Sequence, residues 1–165
     1  TVFRSLLVKI ESLMTRNVYC VNRGQTLKEA ARLMWAHDCG SVPVVDDDNR
    51  VVGMVTDRDI AMEAYRSGKS LDTIPVSTAA SKQLVYCDAG ADVRKVEQLM
   101  QAHQLHRVPI TGDKGQPVGI ISLNDIARAY KAGDQGIQAQ EVSDTLASIC
   151  SPMQKPDHPS SAITS

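Results

Sequence analysis

The nine residues Gly53-Met54-Val55-Thr56-Asp57-Arg58-Asp59-Ile60-Ala61 return 66 positions later as Gly119-Ile120-Ile121-Ser122-Leu123-Asn124-Asp125-Ile126-Ala127. The same shift lays Met34 on Met100, His37 on His103, Val42-Pro43 on Val108-Pro109 and Gly24 on Gly90 without a gap. A fixed-period repeat constrains architecture before any local signal does. Two copies are too few for an open solenoid. A pair packed face to face is expected, each copy burying the apolar face that the other leaves open.

Each copy reads as strand, turn and helix start. Met54-Val55 and Ile120-Ile121 favour a strand, and Thr56 and Ser122 are good N-caps. A glycine at each strand start leaves room for a close approach of backbone or ligand. Two readings of the Ser/Thr-x-x-Asp spacing compete. One is a capping box, with the acid reaching back to the cap's N–H. The other is a sugar-phosphate site: a helix N-terminus favours phosphate, and a carboxylate accepts from two neighbouring ribose hydroxyls. The box normally uses Glu or Gln, and Asp is shorter, so the site reading is preferred.

The chain has 165 residues, which is one domain or one intimate pair of half-domains. A hydrophobic share of 42% supplies a real core, while a net charge of -1 and 4% aromatics argue against a nucleic-acid surface. No apolar run has the length of a membrane span. The opening Thr1–Val8 has too short an apolar core for a signal peptide and reads as a short leading helix or strand, so the expected compartment is the cytoplasm. Cys20, Cys39, Cys87 and Cys150 show no metal-ligand spacing and read as reduced thiols; Cys20 and Cys39 are candidates to meet in the fold.

In chain order, Ile10–Met14 is a helical lead-in and Val18–Val21 a first strand. Thr26-Leu27-Lys28-Glu29 is expected to form a true capping box, ahead of a helix whose apolar face is Leu27, Ala30, Ala31 and Met34. Gly40 suits the left-handed closing position. Val42–Val45 and Arg50–Val55 are paired strands around the turn Asp46–Asn49, too irregular in spacing for a calcium loop. A helix runs from Asp57 to Arg66. An irregular connector then leads to the second copy: strand Leu84–Cys87, a helix capped by Asp92 with Val93, Val96 and Met100 inward, strands Arg107–Thr111 and Pro117–Ser122, and a helix Leu123–Lys131. Val142–Ile149 is a further helix with Leu146 and Ile149 apolar, and the tail from Ser151 is expected to be disordered.

The doubled unit, with Ser41-Val42-Pro43-Val44-Val45 then Gly53-x-x-Thr56-x-x-Asp59, and His106-Arg107-Val108-Pro109-Ile110 then Gly119-x-x-Ser122-x-x-Asp125, resembles the CBS domain. The resemblance covers residues 9–131 and implies an α/β (α+β) fold of tandem β-α-β-β-α repeats about a pseudo-twofold axis. Repeat 1 is set at 9–68, a connector at 69–80, repeat 2 at 81–132, and a C-terminal helix and tail at 133–165. It also implies two clefts that bind adenosine-containing ligands, a regulatory and non-catalytic role, and a homodimer. Stand-alone pairs of this kind are similar to bacterial stress-response proteins.

Carried onto this sequence, the resemblance implies one cleft with Asp125 on the ribose, Ser122 and Asn124 beside the phosphate, and His106 and Arg107 gripping it. Thr15, Val18, Cys20, Gly40 and Ser41 would wall the adenine. In the other cleft Asp59 takes the ribose, Thr56 and Arg58 the phosphate, and Ser81, Leu84 and Tyr86 the base. The clefts are unequal, because Gly40-Ser41 stands where the second copy has His106-Arg107, and a guanidinium grips phosphate bidentately. Plainer roles compete: His37, His103 and His106 as surface or helix-end histidines, Arg58 and Arg107 as salt-bridge partners, Cys20 and Tyr86 as packing, Trp35 facing a partner subunit.

Two functions follow. The first is a sensor of AMP, ADP or ATP, with no obligatory cofactor, no catalytic residue and no metal. The alternative is a structural or interaction module of the stress response with thiol or metal chemistry, motivated by Cys20, Cys39 and Cys150. No nucleophile–base pair or phosphate-binding loop suggests an enzyme.

Overall fold

The computed structural model describes residues 8–134 and 136–152. Two three-stranded sheets carry the fold. The first is ordered β1 (Val21–Asn22), β2 (Ser41–Val45), β3 (Val51–Thr56); the second β4 (Cys87–Asp88), β5 (Arg107–Thr111), β6 (Pro117–Ser122). In each, the short first strand is parallel to the second, which is antiparallel to the third. The helices are α1 (Leu27–Ala36), α2 (Asp57–Ser67), α3 (Val93–His103), α4 (Leu123–Lys131) and α5 (Ala139–Cys150). Ser41 pairs with Thr56 and Arg107 with Ser122 across the two hairpins, so the register obeys the 66-residue shift.

The repeats exchange their leading segments. Val8, Ile10 and Met14 bury themselves in the core of the second repeat, with Val96, Met100, Ile110 and Ile121. Their equivalents in the connector, Ile74 and Val76, enter the first core beside Leu27, Val44 and Val55. The backbone follows the same symmetry. Ile10 N donates to Ala91 O at 3.1 Å and Val76 N to Gln25 O at 2.8 Å. Each half-core is completed by chain from the other half, so neither is a closed unit by itself.

The exchange overturns two local expectations. Thr26 makes no capping bond with its side chain. The free N–H groups of α1 are met by connector carbonyls instead, Leu27 N on Ile74 O at 2.9 Å and Lys28 N on Leu71 O at 3.1 Å, and Glu29 turns to Arg32. The first strands are also shorter than expected: residues 18–20 and 84–86 lie ahead of β1 and β4.

Two helix details differ as well. Asp38, with φ 48°, takes the left-handed position after α1, not Gly40. Cys39 N then closes on Met34 O at 3.0 Å, a Schellman-type ending. In α5 the buried residues are Thr145 and Ile149, and Leu146 is exposed. The expected faces of α1 and α3 are inward, and the Asp46–Asn49 turn is closed by Asp46 Oδ1 accepting from Asp48 N and Arg50 N. The leading residues 1–7 and the tail from 153 lie outside the described residues.

Candidate functional site

Two grooves lie between the repeats, of about 550 and 260 Å³. They map onto one another under the repeat shift. The large groove holds Thr56, Asp59, Ser81, Gln83, His103 and Pro109; the small one holds their equivalents Ser122, Asp125, Thr15, Asn17, His37 and Pro43. Each is therefore built from one helix start of one repeat and the leading segment of the other.

The helix starts are alike. Asp57 N donates to Gly40 O and Leu123 N to His106 O, which anchors each first turn to the preceding strand. At α2, Asp59 Oδ2 accepts from Thr56 N at 2.9 Å and Thr56 Oγ1 at 2.7 Å, and Thr56 Oγ1 accepts from Asp59 N at 3.1 Å. At α4, Asp125 Oδ2 does the same with Ser122 at 2.8 and 2.6 Å. Both are capping boxes. The expectation that Asp is too short for a box is corrected: it reaches the cap amide, and one further bond, from the cap hydroxyl, holds it in place. The box occupies Oδ2, and the grooves beside it stay open.

The second carboxylate oxygens differ. Asp125 Oδ1 accepts from Arg128. The residue equivalent to Arg128 in the first repeat is Met62, and Asp59 Oδ1 has no partner among the described residues.

Most of the expected residues gather at the grooves. Thr15, Val18, Ser41, Arg107, Ser122 and Asp125 line the small one; Thr56, Arg58, Asp59 and Ser81 line the large one. Gly40 and His106, expected beside Asp125, line the large groove instead. Cys20, Asn124, Leu84 and Tyr86 line neither. Beside Val18, the small groove takes Asn17 and Tyr19, and the large one takes Gln83 and Val85, while Leu84 and Tyr86 are exposed outside it.

Sequence reasoning missed Asn17, Gln83 and Val85 at the grooves, and also Tyr19 stacked on His37, with ring centroids 3.3 Å apart and planes within 7°. The repeat shift was the available signal, since it pairs His37 with His103 and Asn17 with Gln83.

Ser41 and Arg107 line both grooves. Ser41 is buried, and its Oγ has no hydrogen-bond partner among the described residues. Arg107 forms no salt bridge among them. A Cβ at Gly40 would meet Asp57 Oδ2 at a tight 3.1 Å and Arg107 Nη1 at an ordinary 3.8 Å, so the glycine lets the backbone approach the Asp57 carboxylate closely. The cysteines are all free, and burial pushes the Cys20 thiol up to about 11 and raises Cys39 and Cys87 as well. No group of three or more His, Cys, Asp or Glu is placed to hold a metal among the described residues. No described helix is long and apolar enough to cross a membrane.

Tandem repeats with exchanged leading segments and twin grooves define a paired-repeat module. The sequence profile of the CBS domain matches residues 10–65 and 76–132, more than half of the chain, and the protein belongs to the CBS-domain family. It is 34% identical to hypoxic response protein 1 of Mycobacterium tuberculosis over 141 residues, which is 86% of this chain and 93% of that one. The crystal structure of hypoxic response protein I with two coordinated zinc ions superposes with a TM-score of 0.67 at 36% identity, over 73% of this chain and 98% of that one. The CBS domain pair of protein MJ0100, in complex with 5′-methylthioadenosine and S-adenosyl-L-methionine, superposes with a TM-score of 0.68 over 76% of this chain and 98% of that one, at 21% identity.

Proposed function

We propose that this protein is a non-catalytic regulatory module that takes adenosine-containing ligands of the AMP, ADP or ATP class in the grooves between its repeats, and acts in the cytoplasm as an energy or stress sensor. The observation that carries the reading is the matched pair of grooves. Each offers a helix N-terminus, a hydroxyl, an Asp carboxylate, and Arg107 beside it. Helix N–H groups and a guanidinium suit phosphate, and the carboxylate suits vicinal ribose hydroxyls. The large groove, at about 550 Å³, falls in the size range of small-molecule sites. The MJ0100 pair, with its adenosyl ligands, supports the ligand class. A sensor requires that the ligand favour one packing of the repeats over another; grooves walled by both repeats support such a coupling. Trp35, 90% exposed on α1, supports a homodimer built on the helical faces.

Calorimetry with AMP, ADP, ATP, NAD and S-adenosylmethionine is the test. Binding below millimolar, weakened by Arg107→Met, is the expected result. Absence of binding by all five ligands removes the reading.

The zinc ions of the mycobacterial relative support a second reading, a structural stress-response module with metal or thiol chemistry. Metal analysis of the purified protein, with thiol counting under reducing and oxidising conditions, separates the two. The raised thiols of Cys20, Cys39 and Cys87 weigh against thiolate chemistry at those three.

A further inference from the structure

We propose that Arg107 is one phosphate-gripping cation shared by two grooves, so that a phosphorylated ligand in one groove excludes a second from the other. The inference rests on the nucleotide reading and adds a rule of occupancy to it.

Ser41 and Arg107 are equivalents under the 66-residue shift. Each begins the middle strand of its sheet, and each lines both grooves. Such a pair lies at the pseudo-symmetry axis, where the two openings meet. Two arginines there would serve one groove each. The chain instead has one arginine and one serine, so a single guanidinium faces two identical demands.

The rest of the lining does not make up the difference equally. The large groove has Arg58, His103 and His106 besides Arg107, set against Asp57 and Asp59, so Arg58 is the guanidinium that the small groove lacks. The small groove has His37 and, among its lining residues, no Lys or Arg other than Arg107, while Asp38 and Asp125 add negative charge. Asn124 stands where Arg58 stands in the first repeat. Two phosphates brought to one guanidinium would also lie well inside a screening length of about 8–10 Å and repel each other. The first anionic ligand therefore settles in the large groove with Arg107 turned toward it. The small groove then holds carboxylates and no guanidinium.

Phosphate is the cause of the exclusion, so a ligand without phosphate escapes it. Calorimetric titration of the full chain with AMP is expected to give one AMP per chain, with any second site weaker by about tenfold or more, the usual scale for losing a charge-assisted contact. Adenosine is expected to fill both grooves, the small one more weakly because Arg128 holds Asp125 there. Asn124→Arg, at an exposed position equivalent to Arg58, gives the small groove its own cation and is expected to raise AMP to two per chain. Two equal, independent AMP sites in the unaltered protein overturn the sharing while leaving the nucleotide reading intact. So does a stoichiometry that stays at one in Asn124→Arg, or one adenosine per chain. No binding of either probe overturns the sharing together with the reading beneath it.

Discussion

Thr56 and Asp59 are bonded reciprocally: one carboxylate oxygen of Asp59 takes both the amide and the hydroxyl of Thr56, and that hydroxyl takes the amide of Asp59. The pair is one unit. It sets the first turn of α2 and holds Asp59 at the large groove by one oxygen, Oδ2. Asp59→Ala is expected to lower unfolding free energy by about 1–2 kcal/mol, the range of lost helix caps. Thr56→Val should cost a similar amount. The double variant should cost little more than either alone, because contacting residues do not add. Urea unfolding of the three variants measures this; strict additivity would show that the two act separately.

Arg128 covers the oxygen of Asp125 that corresponds to the open one of Asp59. An occupied carboxylate accepts fewer bonds from a ribose. Arg128→Met, which copies Met62 of the first repeat, is expected to free Asp125 and strengthen adenosine binding in the small groove roughly tenfold, on the scale of about 1.5 kcal/mol for one hydrogen bond to a charged group. Calorimetry with adenosine reads the change. Unchanged or weaker binding in a folded variant would mean that Arg128 is not the obstacle.

Strong local patterns made much of the fold legible in advance. β5, β6 and α4 have the expected bounds, because alternating apolar runs and a Ser cap coincide there with tertiary packing. The failures share a physical origin in chain from the other repeat. Thr26 and Glu29 have the letters of a capping box, yet Ile74 and Leu71 supply the acceptors first. Which of residues 15–19 and 81–85 line the grooves depends on how these segments meet the opposite repeat, and no cap or turn declares that. Glu97 occupies the place of Ala31, which belongs to the apolar face expected of the first helix. It is buried because α5, which has no counterpart in the first repeat, packs on α3.

Gly119 illustrates how close the exchanged segments come. A Cβ there would press on Met14, reaching its Cγ at 2.9 Å and its Cβ at 3.3 Å. Met14 is itself buried, so it has little room to withdraw. Gly119→Ala is expected to destabilise by about 1–3 kcal/mol, the usual range for overpacking. Met14→Ala, which matches Ala80 of the connector, should restore part of that loss when combined with it. Denaturant midpoints of the two single variants and the double test the pairing; a double variant no better than the sum of its parts would place the strain elsewhere.

Glu97 makes the docking of α5 depend on pH. It is 2% exposed, and Oε1 has no hydrogen-bond partner among the described residues. Burial, then the charges of Glu141 on α5 and Asp92 ahead of α3, push its carboxyl up to about 7 against the opposing pull of Arg94. The ordinary value of 4.5 applies once the helix is released or the chain unfolds. The folded form therefore holds its proton where the unfolded form has lost it. The resulting stability is fully present below pH 4.5 and drains away as pH rises to about 7. Other carboxylates act in the opposite sense at the acid end, so the comparison that isolates Glu97 is with Glu97→Gln. That variant is expected to gain about 1–3 kcal/mol over the unaltered protein at pH 8 and to show no such gain near pH 4.5. Equal differences at both pH values, read from urea unfolding, would show that the carboxyl does not titrate on release of α5.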